Sequence, residues 1–433
     1  MIFTAFNAMN SKTLGNIFKG DKVIWMIFFF LCIISIVEVF SASSELTYKG
    51  GSYFSPLIKH IGILIFGFFS MVVVLNIKCK YFKIATPFFI LLSVFTLLWV
   101  IVAGQSTNGA QRWVNFIGIQ FQPSEIAKGT VVLATAQILS ALQTDHGADK
   151  IAFKYILGIC FLIIPLIALE NLSTAALLSL VVLMMMLIGR VPMRQIGKLV
   201  GVVVLGMLLV FAGVMLVGKD TQNEDTDKVL TEQVQPDSRE EGLFGKIFHR
   251  ADTWKSRIDK FAQHKEIAPQ DVDLDKDAQV AHANIAIASS NIIGKGPGNS
   301  VERDFLSQAF SDFIYAIIIE ELGIEGAVFV AVLYIMLLFR TGRIASRCEN
   351  YFPALLAMGL AMLLVTQALF NMCVAVGIVP VTGQPLPLIS KGGTSSVINC
   401  IYVGVILSVS RSAKKRGESE PTKAKAAQLS TTV

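Results

Sequence analysis

Charge is scarce in this chain of 433 residues: only 16% are Asp, Glu, Lys or Arg, where a soluble domain carries about 25%. Hydrophobic side chains make up 54%, more than soluble cores can hide while leaving a polar surface for water. An ordinary soluble enzyme and a disordered chain are therefore excluded. Cysteine is sparse too, at six, with no pair at metal-ligand spacing, so neither a disulfide scaffold nor a zinc site is expected. The sequence has no phosphate-loop lysine motif and no dinucleotide fingerprint. It also lacks the concentrated basic patch of a nucleic-acid binder, and no nucleic-acid partner is expected. Asp271, Asp273, Asp275 and Asp277 alternate as in a calcium loop. Lys276 takes the turn-glycine position, however, and His282 the twelfth-ligand position, so the run reads as a solvated loop. No solenoid repeat or inverted transporter-type repeat is visible.

Long apolar runs are what the chain has instead. A membrane span needs about 20 mostly apolar residues. Ten segments qualify: 23–42, 57–76, 84–103, 124–142, 151–169, 172–189, 198–217, 324–340, 353–375 and 394–411. The expected fold is an all-α polytopic membrane protein with about ten transmembrane helices. Lys78, Lys80 and Lys83, then Arg190, Arg194 and Lys198, then Arg340, Arg343 and Arg347, then Lys414, Lys415 and Arg416 fall on alternate connectors. Basic residues mark the cytoplasmic side, which places both termini there. Residues 1–22 form a cytoplasmic leader whose following helix is retained rather than cleaved, and 23–217 carry spans one to seven. Residues 218–310 form one large extracytoplasmic loop, 311–411 a re-entrant segment and spans eight to ten, and 412–433 a disordered cytoplasmic tail. The large loop holds 17 acidic and 12 basic residues (net −5), and the remainder 25 basic and 14 acidic (net +11). That asymmetry suits a bacterial inner-membrane protein.

Ionisable residues near the spans are the informative ones, because each is costly in hydrocarbon. Span four opens Gln122-Pro123-Ser124-Glu125-Ile126-Ala127-Lys128. Pro123 suits a helix start, Ser124 can cap it, and Lys128 shares a face with Glu125. A capped helix with an internal ion pair and a cavity that offers Lys128 to an anionic headgroup both remain open. Arg112, in Gly109-Ala110-Gln111-Arg112-Trp113, lies at the outer interface, as a topological exception or as a phosphate ligand. Asp312 leads the apolar stretch after the large loop, as a helix cap or as a base for a sugar hydroxyl. Glu320 follows it by eight residues, on the same face of a continuous helix. Between spans nine and ten, Pro380, Pro385 and Pro387 forbid regular helix. Gly392 and Gly393 allow close backbone approach, and Lys391 is a second candidate for an anion. Either this segment is buried, non-helical backbone at membrane depth, or it is a simple outer loop. Glu38 falls in the same outer half, and the 279–300 segment and Trp254 are placed over the cavity.

Taken together, the runs Gly109–Trp113, Gln122–Lys128, Ser311-Asp312-Phe313-Ile314-Tyr315-Ala316, Glu320-Glu321-Leu322-Gly323 and Pro385–Ser395 resemble the SEDS family (shape, elongation, division and sporulation) in order and spacing. Gly294–Ser300 and Phe305-Leu306 are closer to its cell-division branch, FtsW. Val381-Thr382-Gly383 is nearer the elongation branch, RodA. Lys391 stands where a tyrosine is usual, and Asn171-Leu172-Ser173-Thr174 departs from the common Pro-Asp-x-Gly-Thr.

The resemblance implies a peptidoglycan glycosyltransferase of septal cell-wall synthesis in the bacterial cytoplasmic membrane. It would polymerise lipid II at the outer face and release undecaprenyl diphosphate. Asp312 matches the family's essential aspartate and is the expected general base, with Asp304 in support. Arg112, Lys128 and Lys391 would hold pyrophosphate, and Glu125, Glu320, Gly392, Gly393 and Ser395 complete the expected substrate-binding set. A divalent cation, Mg or Mn, could assist departure of the pyrophosphate, although no ligand set is legible. The implied partners are a class B penicillin-binding protein, a transpeptidase, and other division proteins. A lipid II flippase and a non-catalytic scaffold are the competing readings. A flippase needs polar groups along a path through the membrane, whereas here they gather at one end.

Overall fold

The computed structural model describes residues 18–42, 55–103, 105–107, 110–116, 119–217, 278–306 and 309–430. The alternating aspartates, Trp254 and most of the acidic loop lie outside them. Three helices come first: α1 (Lys22–Ala42), α2 (Ser55–Asn76) and α3 (Cys79–Ala103). A small antiparallel sheet follows, with β1 (Gln105–Thr107), β2 (Ala110–Phe116) and β3 (Ile119–Phe121). Then come α4 (Pro123–Ala141), a tight hairpin of β4 (Gln143–Thr144) and β5 (Gly147–Ala148), α5 (Lys150–Glu170), α6 (Leu172–Ile188) and α7 (Met193–Val217). The remaining helices are α8 (Ala278–Ala288), α9 (Ile314–Ala345), α10 (Tyr351–Ala375) and α11 (Thr394–Ser430).

A helix thus stands at each expected apolar segment. Among the described residues, α1, α2, α3, α5, α9, α10 and α11 are long and apolar enough to cross a membrane. On α3, Ile84, Phe88, Leu91 and Phe95 are exposed at helical spacing, a stripe suited to hydrocarbon rather than water. The helix α4 is not in that set. Ser124, Glu125, Lys128, Thr130 and Thr135 dilute its apolar content, and all five are buried. Its neighbours include α3, α5, α6 and α10, so protein rather than hydrocarbon surrounds these polar groups.

Two expectations need correction. The fold is not purely helical: 105–107, 110–116 and 119–121 pair as strands, with Val114 opposite Phe121 and Phe116 opposite Ile119. Branched and aromatic residues favour such a ribbon, and the stretch is too short to span. The end of the chain also differs, because α11 continues to Ser430 where a disordered tail was expected. Lys, Arg, Glu, Ala and Gln dominate 413–428, and all are good helix formers.

The helix α9 is broken at Gly323, whose φ of 71° no helix tolerates. The segment before it fills the break. Lys295 and Gly296 donate their amides to the carbonyls of Glu320 and Glu321 at 2.9 and 2.8 Å, and Glu325 donates to Ile292 O at 3.4 Å. Backbones cross so closely there that a Cβ on Gly323 would lie 2.1 Å from Ile292 O. Broken backbone inside a bundle survives only when another segment supplies its hydrogen bonds.

Candidate active site

The starts of α4, α9 and α11 meet the end of α10 at one end of the bundle, around the segment 376–393. That segment is not a simple loop over the surface: residues 386–390 are all buried. Its prolines deny it a helix, so its carbonyls need side-chain donors. Gln384 O accepts from Asn371 Nδ2 at 2.7 Å and Pro385 O from Gln367 Nε2 at 3.0 Å. Pro387 O accepts from the Tyr334 hydroxyl, and Ile389 O from Ser35 Oγ at 2.6 Å. The side chain of Gln384 reaches Thr174 Oγ1 at 2.6 Å, which ties the segment to the start of α6. The non-helical, buried reading of this segment is the one the structure adopts.

Asp312 lies on a turn two residues ahead of α9, half-buried, and its Oδ1 accepts from Ser311 Oγ at 3.0 Å. It is not the helix cap, because Phe313 occupies that position without a side-chain bond. Nor does it share a helical face with Glu320, since the helix starts only at Ile314. The end of α10 and the 376–393 segment hold the turn from behind. Asn371 Nδ2 donates to Asp312 O at 2.9 Å, Ser390 Oγ to Ser311 O at 2.6 Å, and Lys391 N to Phe310 O at 2.9 Å.

Lys391 is half-buried, with its Nζ 4.9 Å from the centre of the Phe310 ring, a cation–π distance. Burial, and then the like charge of Lys59, hold its ammonium below the usual lysine range. Gly393 has φ 52° and open space where a Cβ would stand. Gly392 is tighter, with a Cβ there lying 3.2 Å from that of Ser395. Ser395 is buried in the first turn of α11, and its amide donates to Gly392 O at 2.9 Å. Lys391 thus adjoins the turn that carries Asp312 through Phe310 O, and Gly392, Gly393 and Ser395 follow it into α11.

Other expected site residues are placed differently. Lys128 is fully buried, with Nζ 2.8 Å from Glu125 Oε1 and 2.7 Å from Gln367 Oε1. The pair is real, but Lys128 faces protein rather than an open mouth. Pro123 does start the helix, whereas Ser124 does not cap it: Gln122 takes the cap position, and Ser124 Oγ is buried without a partner.

Glu320 is also fully buried rather than lining an opening. Its carboxylate accepts from Lys295 Nζ at 2.6 Å, Ser300 Oγ at 2.5 Å and Val301 N at 3.1 Å. Glu321 accepts from Gly298 N at 3.0 Å, Ser300 N at 3.2 Å and the Ser41 hydroxyl. Both acids thus dock 295–301 onto α9 instead of facing substrate. Glu38 is fully buried as well. Asp304 is exposed on the short 3₁₀ turn Glu302–Asp304, 3.8 Å from Arg303 Nε. Arg112 lies on β2, and its side chain is outside the described part.

The chain-wide polar framework includes residues that a search for charge passes over. Gln367 and Asn371 stand four apart in an otherwise apolar run, a polar stripe on one helical face that was readable beforehand. Tyr402 is another: its hydroxyl donates to Glu125 O at 2.5 Å. Among the described residues no three His, Cys, Asp or Glu come close enough to share a metal ion.

Comparison with known proteins agrees with this architecture. The model of the Cell cycle protein family of FtsW, RodA and SpoVE matches residues 21–415. The probable peptidoglycan glycosyltransferase FtsW of Geobacter metallireducens is 29% identical over 412 residues, covering 92% of this chain and 96% of that protein. The peptidoglycan glycosyltransferase MrdB of Escherichia coli is 27% identical over 403 residues, with the same two coverages of 92% and 96%. Among solved structures, a chain from a peptidoglycan synthase complex superposes with a TM-score of 0.66 at 21% identity, covering 91% of this chain and 98% of that one. The rod shape determining protein RodA of Thermus thermophilus gives 0.58 at 22% identity, over 90% and 97%.

Proposed function

Because this chain belongs to the SEDS family of cell cycle proteins, that of FtsW, RodA and SpoVE, we propose that it is a peptidoglycan glycosyltransferase that polymerises lipid II. In this reading Asp312 removes the proton from the acceptor sugar's 4-hydroxyl. The freed oxygen bonds to C1 of the donor sugar, the bond from C1 to pyrophosphate breaks, and its electron pair leaves with undecaprenyl diphosphate. A general base of this kind contributes typically 10²–10⁴-fold. Lys391 and Arg112 are the cations proposed to meet the charge that develops on the leaving group. Lys128 is proposed to act from behind, through Gln367 and Pro385 O, on the wall of the same site.

The observation that carries the reading is the setting of Asp312: a half-buried carboxylate on a turn whose backbone is tied to α10 and to the 376–393 segment. Such anchoring suits a base that must keep one position. Gathering of Asp312, Lys391 and the glycine pair at one bundle end supports a polymerase over a flippase. The fuller placement belongs to the same proposal. It comprises ten spans, both termini cytoplasmic, the site at the outer face of the bacterial cytoplasmic membrane, work at the septum, and a class B penicillin-binding protein as partner. The FtsW-like runs Gly294–Ser300 and Phe305-Leu306 make division the preferred role in this proposal, with elongation as the second reading.

The test is polymerisation of labelled lipid II by the purified protein with its transpeptidase partner. Wild type is expected to form glycan chains and Asp312→Ala none. Chains from both would remove Asp312 from the chemistry. No chains from wild type, together with lipid II moving between vesicle leaflets, would favour the flippase.

A further inference from the structure

Ser35 Oγ and His60 Nε2 stand 2.8 Å apart, on α1 and α2, and both residues are almost wholly buried. A serine beside a histidine suggests a nucleophile and its base, and the geometry rejects that. The single hydroxyl proton of Ser35 is committed to Ile389 O at 2.6 Å. The serine oxygen then accepts from the ring, which fixes the proton of His60 on Nε2.

What the pair holds is an unusual piece of backbone. Leu388 has φ 66°, the left-handed region that a branched side chain enters only when its surroundings over-determine it. The carbonyls on either side of it are both pinned, Pro387 O by Tyr334 and Ile389 O by Ser35. The two residues after Ile389 are the ones that grip the turn before Asp312: Ser390 through Ser311 O and Lys391 through Phe310 O. Loss of the hold on Ile389 O frees Leu388 to relax into an ordinary conformation. That relaxation moves Ser390 and Lys391 off their acceptors and loosens Asp312.

We propose that His60 is a positioning residue for Asp312, acting through Ser35 and the carbonyl of Ile389. The proposal rests on the reading of Asp312 given above. It makes His60 a donor from one defined ring atom, with no part in proton transfer.

The side chain that can replace it is then specific. Glutamine places its amide nitrogen close to where Nε2 of histidine stands, whereas asparagine reaches only as far as Nδ1. His60→Ala and His60→Asn are expected to lower kcat of glycan formation roughly ten- to hundredfold with KM within about twofold, as for a small misplacement of a reacting group. His60→Gln is expected to keep about half or more of wild-type kcat, and Ser35→Ala to match His60→Ala. The Ser35→Ala, His60→Ala double variant is expected to be no worse than either single one, because both break the same link. Wild-type kcat in His60→Ala would overturn the proposal. So would His60→Gln as impaired as His60→Ala while melting like wild type, or additive losses in the double variant.

Amide hydrogen exchange at Ser390–Lys391 provides a readout independent of turnover. Exchange there is expected to quicken in His60→Ala and to stay at the wild-type rate in His60→Gln. Unchanged exchange in His60→Ala would overturn the proposal. Wild-type protein that makes no glycan would count against the reading of function, and the exchange measurement would still decide the role of His60.

Discussion

The side-chain amide of Asn371 donates both of its hydrogens to backbone, one to Asp312 O at 2.9 Å and one to Gln384 O at 2.7 Å. One nitrogen thus fastens the turn that carries the proposed base to the segment that walls it. Replacing it with alanine leaves two acceptors without their donor. Asn371→Ala is expected to lower kcat for glycan formation roughly ten- to hundredfold. Asn371→Asp is expected to be worse, because a carboxylate would face two carbonyl oxygens. Steady-state kinetics on variants matched for thermal stability check this.

Glu125 and Lys128 are a buried ion pair, and such pairs behave differently when one partner or both are removed. Lys128→Met leaves a carboxylate in the core without its ammonium, a loss of roughly 3–5 kcal/mol. Glu125→Gln with Lys128→Met removes both charges and is expected to recover a large part of that loss. Thermal unfolding in detergent, compared across the two variants and wild type, decides it. Equal melting of both variants would mean that the charge of Glu125 is met by something other than Lys128.

Gly323 admits no side chain. A methyl group there would meet Ile292 O at 2.1 Å, at a φ that disfavours any residue but glycine. Gly323→Ala is expected to separate 292–296 from α9 and to cost more than the roughly 0.4–1 kcal/mol that the same change gains where the backbone is compatible. Faster proteolysis between residues 289 and 303 than in wild type is the expected signature.

Lys391 supplies a pH dependence with a definite sign. Its ammonium is held below the usual lysine range by burial first and Lys59 second, so charge is lost at a lower pH than the ordinary ~10.4. Only the charged form attracts pyrophosphate, and KM for lipid II is therefore expected to rise on the alkaline side as pH passes that lowered value. Lys391→Arg keeps its charge throughout and should shift this rise to higher pH. Lys391→Gln should show a raised KM with no such limb. A KM profile in which wild type and Lys391→Arg coincide would remove Lys391 from anion binding.

Local features of the sequence transferred well to the structure. Pro123 at a helix start, Glu125 and Lys128 three apart, and three prolines that bar a helix between α10 and α11 each act over a few residues. Steric and spacing rules act over the same range. What could not be read there are bonds between distant parts of the chain. Ser35 meets Ile389 and Gln384 meets Thr174 only because the bundle brings α1, α6 and the 376–393 segment together. The same reason explains Glu320. Its place in the sequence suggested a cavity wall, whereas its actual partners, Lys295, Ser300 and Val301, arrive from a segment whose docking no periodicity encodes. The strands at 105–121 were missed because a long apolar pattern on either side masks a short ribbon of branched and aromatic residues.

The broken helix also has a consequence for how the protein is made. Residues from Ile324 onward can become helical in the bilayer as soon as they leave the ribosome. Residues 314–322 reach their final geometry only when 292–296 folds back across them. The chain emerges in a helpful order, with the cross-piece synthesised before the helix that it completes. Without that cross-piece α9 is therefore incomplete, because the carbonyls of Glu320 and Glu321 find their donors in Lys295 and Gly296.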